Sequence, residues 1–372
     1  MKILYIARAT IPSREANSIQ VMKMCQAFAD NGHDVVLLVP DKKNNTEPSV
    51  KDLHTYYGVK KCFTIRKFKI RHKQGRAFFE IMAIKKYLLE FDPDLVYSRC
   101  SLGCAISCLN GYKTFYESHL PIWRSSSIKK AGFRLLSKNR NFKRLIVISQ
   151  ALKDLYIKQH IIAPDKISIA HDGADEITDF TAKAKLSGNQ GRLNIGYSGH
   201  LYTGKGMEVI AKAAPLAKEF NFHLVGGTEK DIAYWKSAVT SDNVFFYGFK
   251  PQRELPEYIN SFDICLLPNQ EIVLPCGKED HKHNISAFTS PLKMFEYMAH
   301  KKAIIASDLP VLREVLHESN AVLVQCDDIH AWIEAMERLR DAATREKIAQ
   351  RAYDDFIRSY TWKNRAKLVI AE

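Results

Sequence analysis

The chain has 372 residues, 26% of them charged and 46% hydrophobic, with a formal net charge of +14. That length exceeds one ordinary core and suits two domains, the balance excludes a disordered or fibrous chain, and no apolar run approaches the roughly 18 residues of a membrane helix. Near Met1 only residues 3–7 are apolar before Arg8 interrupts, too few for a signal peptide, and with 8 cysteines we expect reduced thiols in a cytoplasmic protein.

Residues 3–7 read as a buried strand. Ser18 is the expected N-cap of a helix burying Val21, Met24, Cys25 and Phe28, and Gly32 closes it before a strand at 35–39. This is one βαβ unit. Strand-like runs recur at 63–68, 95–97, 114–116, 145–148 and 167–170 with helical stretches between, which predicts a parallel sheet covered on both faces. Cys100, Cys104 and Cys108 line one helical face; zinc sites use closer pairs and no second pair follows, so these read as small core residues.

The polar, aperiodic stretch 173–192 is the expected linker between a first domain, 1–172, and a second, 193–357. Strands are expected in the latter at 193–197, 222–225, 244–247, 264–267, 303–306 and 322–324, with a helix over 207–219. Two doubly wound domains in series place ligands at the carboxyl ends of their strands, in the cleft between them.

The charge is uneven. Residues 1–150 hold 27 Lys or Arg against 11 Asp or Glu, leaving 28 against 30 for the rest. Arg66, Lys67, Lys69, Arg71, Lys73, Arg76, Lys85 and Lys86 alternate with Ile65, Phe68, Ile70, Phe78, Phe79, Ile81, Met82 and Leu88. A solvated basic face on a core helix explains part of this pattern; an anionic membrane surface is the other partner it suits, at about 1 kcal/mol per Lys or Arg.

Three motifs carry chemistry. Gly199-His-Leu-Tyr-Thr-Gly204-Lys205-Gly206 nearly matches the phosphate loop G-x-x-x-x-G-K-[ST], but Gly206 lacks the hydroxyl that would hold Mg²⁺. Thr289-Ser290-Pro291-Leu292 opens a helix with Ser290 as N-cap and Pro291 first in the helix, an end that attracts anions. Glu296 then lies roughly 8 Å further along the axis, at about 1.5 Å per residue, the span from a bound pyrophosphate to its ribose. Third, a strand ending in Glu117-Ser-His119 presents a histidine at a sheet edge. His281 and His283, in a polar run, are read as part of a loop rather than as metal ligands.

The helix Thr289–Ala299, the strand after it and the Asp308-Leu-Pro310 turn resemble the donor-nucleotide segment of retaining glycosyltransferases of family 4. The resemblance is densest over 193–316 and returns at 1–39 and 115–121. It implies the α/β GT-B fold, two doubly wound Rossmann-like domains facing a central cleft, with a last helix (358–372) packing back on the first domain. It further implies that Lys205 holds the donor diphosphate, with His200 where relatives often carry an arginine and with Ser290, Pro291 and Leu292 at the helix start. Glu296 would bind the ribose and Phe249, after Gly248, the base, although Phe249 equally suits packing. His119, Lys205 and Glu296 form the expected catalytic set. Asn17, Ser18, Glu117, Phe288 and Thr289 are the expected contacts of donor sugar or acceptor. Phe288 stands where the family has the first of two glutamates eight positions apart, so the sugar must be held differently.

The implied activity is metal-independent transfer of a sugar from a nucleoside-diphosphate sugar, a UDP-sugar in expectation, to a glycolipid or oligosaccharide acceptor in cell-surface polysaccharide synthesis. No metal, cofactor or nucleic acid is expected, and the enzyme would sit peripherally on the inner face of the membrane. Three alternatives remain: a nucleotide-sugar epimerase of the same architecture, an NTPase using the near-match loop, and a basic nucleic-acid binder.

Overall fold

The computed structural model describes residues 1–41, 47, 49–69, 76–274 and 284–371. In chain order these form β1 (Lys2–Ile6), α1 (Ala16–Asp30), β2 (Asp34–Asp41), α2 (Leu53–Tyr56), β3 (Thr64–Lys69), α3 (Arg76–Phe91), β4 (Leu95–Ser98), α4 (Ser101–Leu109), β5 (Thr114–Ser118), α5 (Ser127–Leu136), β6 (Phe142–Val147), α6 (Gln150–Lys158) and β7 (Ile167–Ile169). There follow β8 (Leu193–Ser198), α7 (Met207–Ala213), β9 (Phe220–Val225), α8 (Glu229–Ala238), β10 (Val244–Gly248), α9 (Leu255–Asn260), β11 (Ile264–Leu267), α10 (Leu292–Ala299), β12 (Ala303–Ser307), β13 (Val322–Val324), α11 (Ile329–Arg338), α12 (Ala342–Ser359) and α13 (Trp362–Ile370). Every strand expected from the sequence is present.

The chain divides into two compact units, one of Met1–His171 with Trp362–Glu372 and one of Asp172–Thr361. The first is built on a seven-stranded sheet in the order β3-β2-β1-β4-β5-β6-β7, the second on a six-stranded sheet in the order β10-β9-β8-β11-β12-β13. All pairings are parallel. Parallel strands need crossover helices, and these cover both faces, so the central strands are continuous apolar runs: β1, β4, β11 and β12 are buried almost throughout. In both sheets the strand order reverses beside the first strand of the unit, and there the loops at the carboxyl ends diverge.

Three expectations change. Residues 173–192 are not a separate linker: Ala174 bridges Thr361 and its N–H donates to Tyr360 O at 3.1 Å, and Asn221 Nδ2 donates to Asn189 O at 2.8 Å, all within the second unit. The helix expected over 207–219 stops at Ala213, because Pro215 has no N–H to continue it. The terminal helix expected over 358–372 is instead the end of α12 followed, after Tyr360 and Thr361, by α13. Among the described residues no helix is long and apolar enough to cross a membrane.

α13 docks on α1 through a buried cation. The Arg365 guanidinium donates to both carboxylate oxygens of Glu117 at 3.2 Å, to Ala170 O at 3.1 Å and to His171 O at 2.8 Å. Burial alone would raise the Glu117 carboxyl; Arg365, the hydrogen bond from His119 and Arg99 outweigh it and hold the group well below the ordinary carboxylate range. Its stabilising contribution is therefore present above the unfolded-state value and is lost as pH falls through the depressed folded value. Removing one partner of such a pair leaves a bare buried charge. Arg365→Met is expected to cost the first unit about 3–5 kcal/mol, with part recovered in the Arg365→Met, Glu117→Gln double variant. Hydrogen exchange of the β5 and α13 amides in denaturant checks this without interference from the second unit.

Candidate functional site

In the second unit the candidate site begins where β8 ends. Tyr197 and Ser198 close the strand, and the loop from Gly199 to Gly206 leads into α7. Gly206 is the N-cap of α7 in the left-handed region, φ +97°, and a Cβ there would meet Pro268 O at 2.3 Å. Gln270 N–H donates to Gly204 O at 3.0 Å, so the loop is held against the segment that follows β11. This contact sets Lys205 in place. Burial lowers the Lys205 ammonium to about 8, and its Nζ lies 5.5 Å from the Tyr202 ring centroid.

α10 supplies the other wall. Its N-cap is Pro291, not Ser290; no side chain caps it, and Ser290 Oγ accepts from Asp172 N–H at 3.0 Å. Proline has no N–H to spend at a helix start, which frees the serine hydroxyl for the neighbouring backbone. Tyr297 OH accepts from Ser198 N–H at 2.8 Å and pins the helix to the end of β8. One turn earlier, Lys293 reaches the same place. Its Nζ sits 3.5 Å from the Tyr197 ring centroid, buried, and without a hydrogen-bond partner among the described residues.

The charges here act on each other. Burial first, then repulsion from Lys205, depresses the Lys293 ammonium well below its ordinary value, with Glu296 partly offsetting. Burial, then Lys205 and Lys293, likewise lowers His200. His200, Lys205, Lys293 and Glu296 thus share one neighbourhood at the carboxyl end of the second sheet. Asn269, directly after Pro268, is 1% exposed and neither atom of its amide has a partner among the described residues. The Oγ of Ser307, at the end of β12, is in the same condition. Buried polar atoms are normally satisfied, and orphans gathered on one sheet edge mark a place built for something else to bind.

The remaining expected residues of this unit are scattered along its loops. Leu292 is the first residue of α10 and half-buried. Phe249 is half-buried beyond Gly248, whose φ of +68° turns the chain. Phe288 ends the 3₁₀ turn Ser286–Phe288 and is buried, with Thr289 half-buried after it. His281 and His283 lie outside the described residues.

In the first unit His119 follows β5 and its Nε2 lies 2.5 Å from Glu117 Oε1. An ionised carboxylate only accepts, so Nε2 carries the proton of this bond. Glu117 itself has no exposed side chain; besides His119 and Arg365 it accepts from Tyr97 OH and from Gln20 Nε2 at 2.7 Å. Its carboxylate is thus taken up by these partners, His119 among them. Ser18 is corrected twice. α1 begins at Ala16 with Glu15 as N-cap, so Ser18 is inside the helix, and its buried hydroxyl donates within the unit to Glu15 O at 2.8 Å. Asn17 is half-buried and its carbonyl accepts from Arg99 at 3.4 Å.

Two residues escaped sequence reasoning. Lys293 stands inside the very motif that carried the resemblance, but a lysine in an amphipathic helix reads as solvent-facing until Gly199 is seen to leave room for it. Asn269 carries no sequence signal.

Residues 18–176 match the family model Glycosyltransferase Family 4, and residues 192–341 match Glycosyl transferases group 1. No curated protein matches the sequence. Among solved structures, sucrose-phosphate synthase from Thermosynechococcus elongatus aligns with TM-score 0.73 at 16% identity, over 98% of this chain and 96% of its own. HepE of Anabaena, in complex with UDP and glucose, aligns at 0.71 with 14% identity over 99% and 98%. WaaG, a glycosyltransferase involved in lipopolysaccharide biosynthesis, aligns at 0.65 with 12% identity over 100% of both chains. At these identities the likeness is one of fold.

The near-match phosphate loop is tested by Gly206→Ser, which supplies the missing hydroxyl. Because the left-handed backbone and Pro268 leave no space for a side chain, the variant is expected to lose about 2–4 kcal/mol and to gain no binding of ATP with Mg²⁺. Thermal unfolding with and without MgATP measures both.

Proposed function

Because this chain is a glycosyltransferase of the GT-B fold, family 4 in its first half and group 1 in its second, we propose that it transfers a sugar from a nucleoside-diphosphate sugar, with retention, to a membrane-associated glycan or glycolipid. The observation that carries this reading is Lys205, a desolvated ammonium held by Gly204 and Gly206 beside the start of α10. HepE was solved with UDP and glucose, which supports UDP as the first donor base to try.

In the proposed reaction the bond from the anomeric carbon to the diphosphate breaks and its electron pair leaves with the diphosphate. The acceptor oxygen adds to the same face through an oxocarbenium-like state, and its proton passes to the departing phosphate. Charge grows on the diphosphate as the bond breaks, and a fixed cation in a low-dielectric setting stabilises it without reorganising. Protein cations thus take the part that a metal plays elsewhere. Glu296, five residues past Pro291, would take the ribose hydroxyls, and His119, held by Glu117, would orient or stabilise the reacting sugar. Phe288 in place of a carboxylate leaves the sugar hydroxyls to other groups, and Asn269 is placed to be one of them.

An acceptor at the inner face of a membrane accounts for the surplus positive charge of the first half. Among its described residues, α3 exposes Phe78, Met82 and Leu89 beside Lys85 and Lys86, and α5 exposes Ile128 and Leu135 beside Lys129 and Arg134. Arg71 and Lys73 lie outside the described residues. An epimerase would not need such a surface, and a nucleic-acid binder would leave Lys205 and Glu296 without purpose.

Lys205→Ala is expected to lower turnover by about 10²–10³-fold. The diphosphate binds the ammonium form, so for the wild type the dissociation constant of UDP should rise steeply as pH climbs above 8, a slope that Lys205→Ala lessens. Calorimetric titration from pH 6.5 to 9.5 measures this; turnover equal to wild type in the variant removes the assignment.

Co-sedimentation with vesicles checks the acceptor side. Binding to vesicles containing anionic lipid should exceed binding to neutral ones and fall as salt rises from 50 to 500 mM, roughly, since the Debye length shrinks from about 14 Å to about 4 Å.

A further inference from the structure

Lys293 is a costly side chain to bury in the second unit. An ammonium offers three donors and is strongly hydrated, yet this one has its Nζ out of water and no hydrogen-bond partner among the described residues. Packing does not explain it, since Met or Leu would cover Tyr197 without the cost. The Nζ lies over Gly199, whose φ of +129° already calls for glycine and whose added Cβ would come within 2.9 Å of it. The helix is also set so that it arrives there, because Tyr297, one turn on, is bonded to Ser198.

Its surroundings carry too much positive charge. On the β8–α7 loop it meets Lys205 and His200, on β8 the Tyr197 ring, and on its own helix Glu296 and Tyr297. Two lysines therefore stand close together, with Glu296 partly offsetting Lys293 while Glu208 acts on Tyr197 and Asp231 on His200. The Tyr197 face gives partial compensation of a kind that any stronger anion would displace.

We propose that Lys293 is a parked cation: in the unliganded protein it rests on the Tyr197 ring, and on arrival of a diphosphate it turns from the ring and closes with Lys205 on the anion. This deepens the donor-binding reading above and rests on it. The long, unbranched side chain permits the swing without moving α10. The same step draws protons onto the two lysines, which burial, and for Lys293 also repulsion from Lys205, holds below their ordinary values in the free site.

The test compares Lys293→Met and Lys293→Arg with wild type by calorimetry at pH 8 in Hepes and in Tris, with inorganic pyrophosphate and with UDP, GDP, ADP and dTDP. The wild type should bind pyrophosphate and one of the nucleotides with uptake of protons. Lys293→Met should bind both at least tenfold more weakly and take up fewer protons, Lys293→Arg should keep most of the affinity, and unliganded Lys293→Met should melt no lower than wild type. Unchanged affinity in Lys293→Met overturns the proposal. If melting temperature and affinity both fall in that variant, Lys293→Arg decides: recovered affinity upholds the cation's role, and failure to recover makes Lys293 a packing residue. A wild type that binds pyrophosphate but none of the nucleotides sinks the donor reading alone, since the pyrophosphate comparison still judges Lys293. A wild type that binds none of the five ligands overturns both.

Discussion

Glu117 carries a full negative charge with none of its side chain in water, and the first unit is arranged around what keeps it there. Four elements contribute: Gln20 from α1, Tyr97 from β4, His119 beyond β5 and Arg365 from α13. One carboxylate thereby fixes the orientation of the candidate catalytic histidine and the docking of a helix some 250 residues further along the chain. Stability and function meet in one group. Arg365 also satisfies the carbonyls of Ala170 and His171, so it closes the first unit at the point where the chain leaves it.

The second unit treats buried charge the opposite way. Lys205 and Lys293 are desolvated, and Lys205 repels Lys293, with Glu296 partly offsetting. The fold itself gains no stability from this, and on the proposed reading an anion completes the set. The first unit neutralises its buried charge with fixed partners, and the second leaves two buried lysines close together. Desolvation raises the strength of any later ion pairing, because the field of a cation in a low-dielectric pocket is not spent on water.

How much of this could be read from the sequence divides along the same line. All thirteen strands were legible, because parallel strands buried on both faces must be short, continuous apolar runs and no other element here imitates them. Lys205 and Glu296 were singled out by motif and spacing, and both act on Lys293 in the structure. The expected caps Ser18 and Ser290 miss the observed ones, Glu15 and Pro291, by three residues and by one, because capping preference is a weak local rule that other partners override: Ser18 donates to Glu15 O, and Ser290 turns to Asp172, 118 positions away. Glu117 was found, but its pairing with Arg365 was not, since the partner stands 248 positions off and no local pattern joins them. Lys293 shows the limit most plainly. Its helix, its exposure pattern and its spacing from Glu296 all match an ordinary surface lysine, and only the absence of a side chain at Gly199 tells otherwise.

That last point changes how the glycine-rich loop should be understood. Read as a string, Gly199 to Gly206 resembles a loop that wraps phosphates with its backbone, and the glycines look as if they serve the ligand. In the structure they serve their neighbours. Gly204 and Gly206 yield space to Ile272 and Pro268, and Gly199 yields space to Lys293. The loop therefore presents side-chain cations drawn from two elements, while the backbone cradle and the hydroxyl of a nucleotide hydrolase are missing. A site of this kind can hold a diphosphate through its departure, since the charge it must meet increases as the bond breaks. A hydrolase would instead need a metal and a placed water, and Gly206, with no room for a side chain, takes away the ligand for the first.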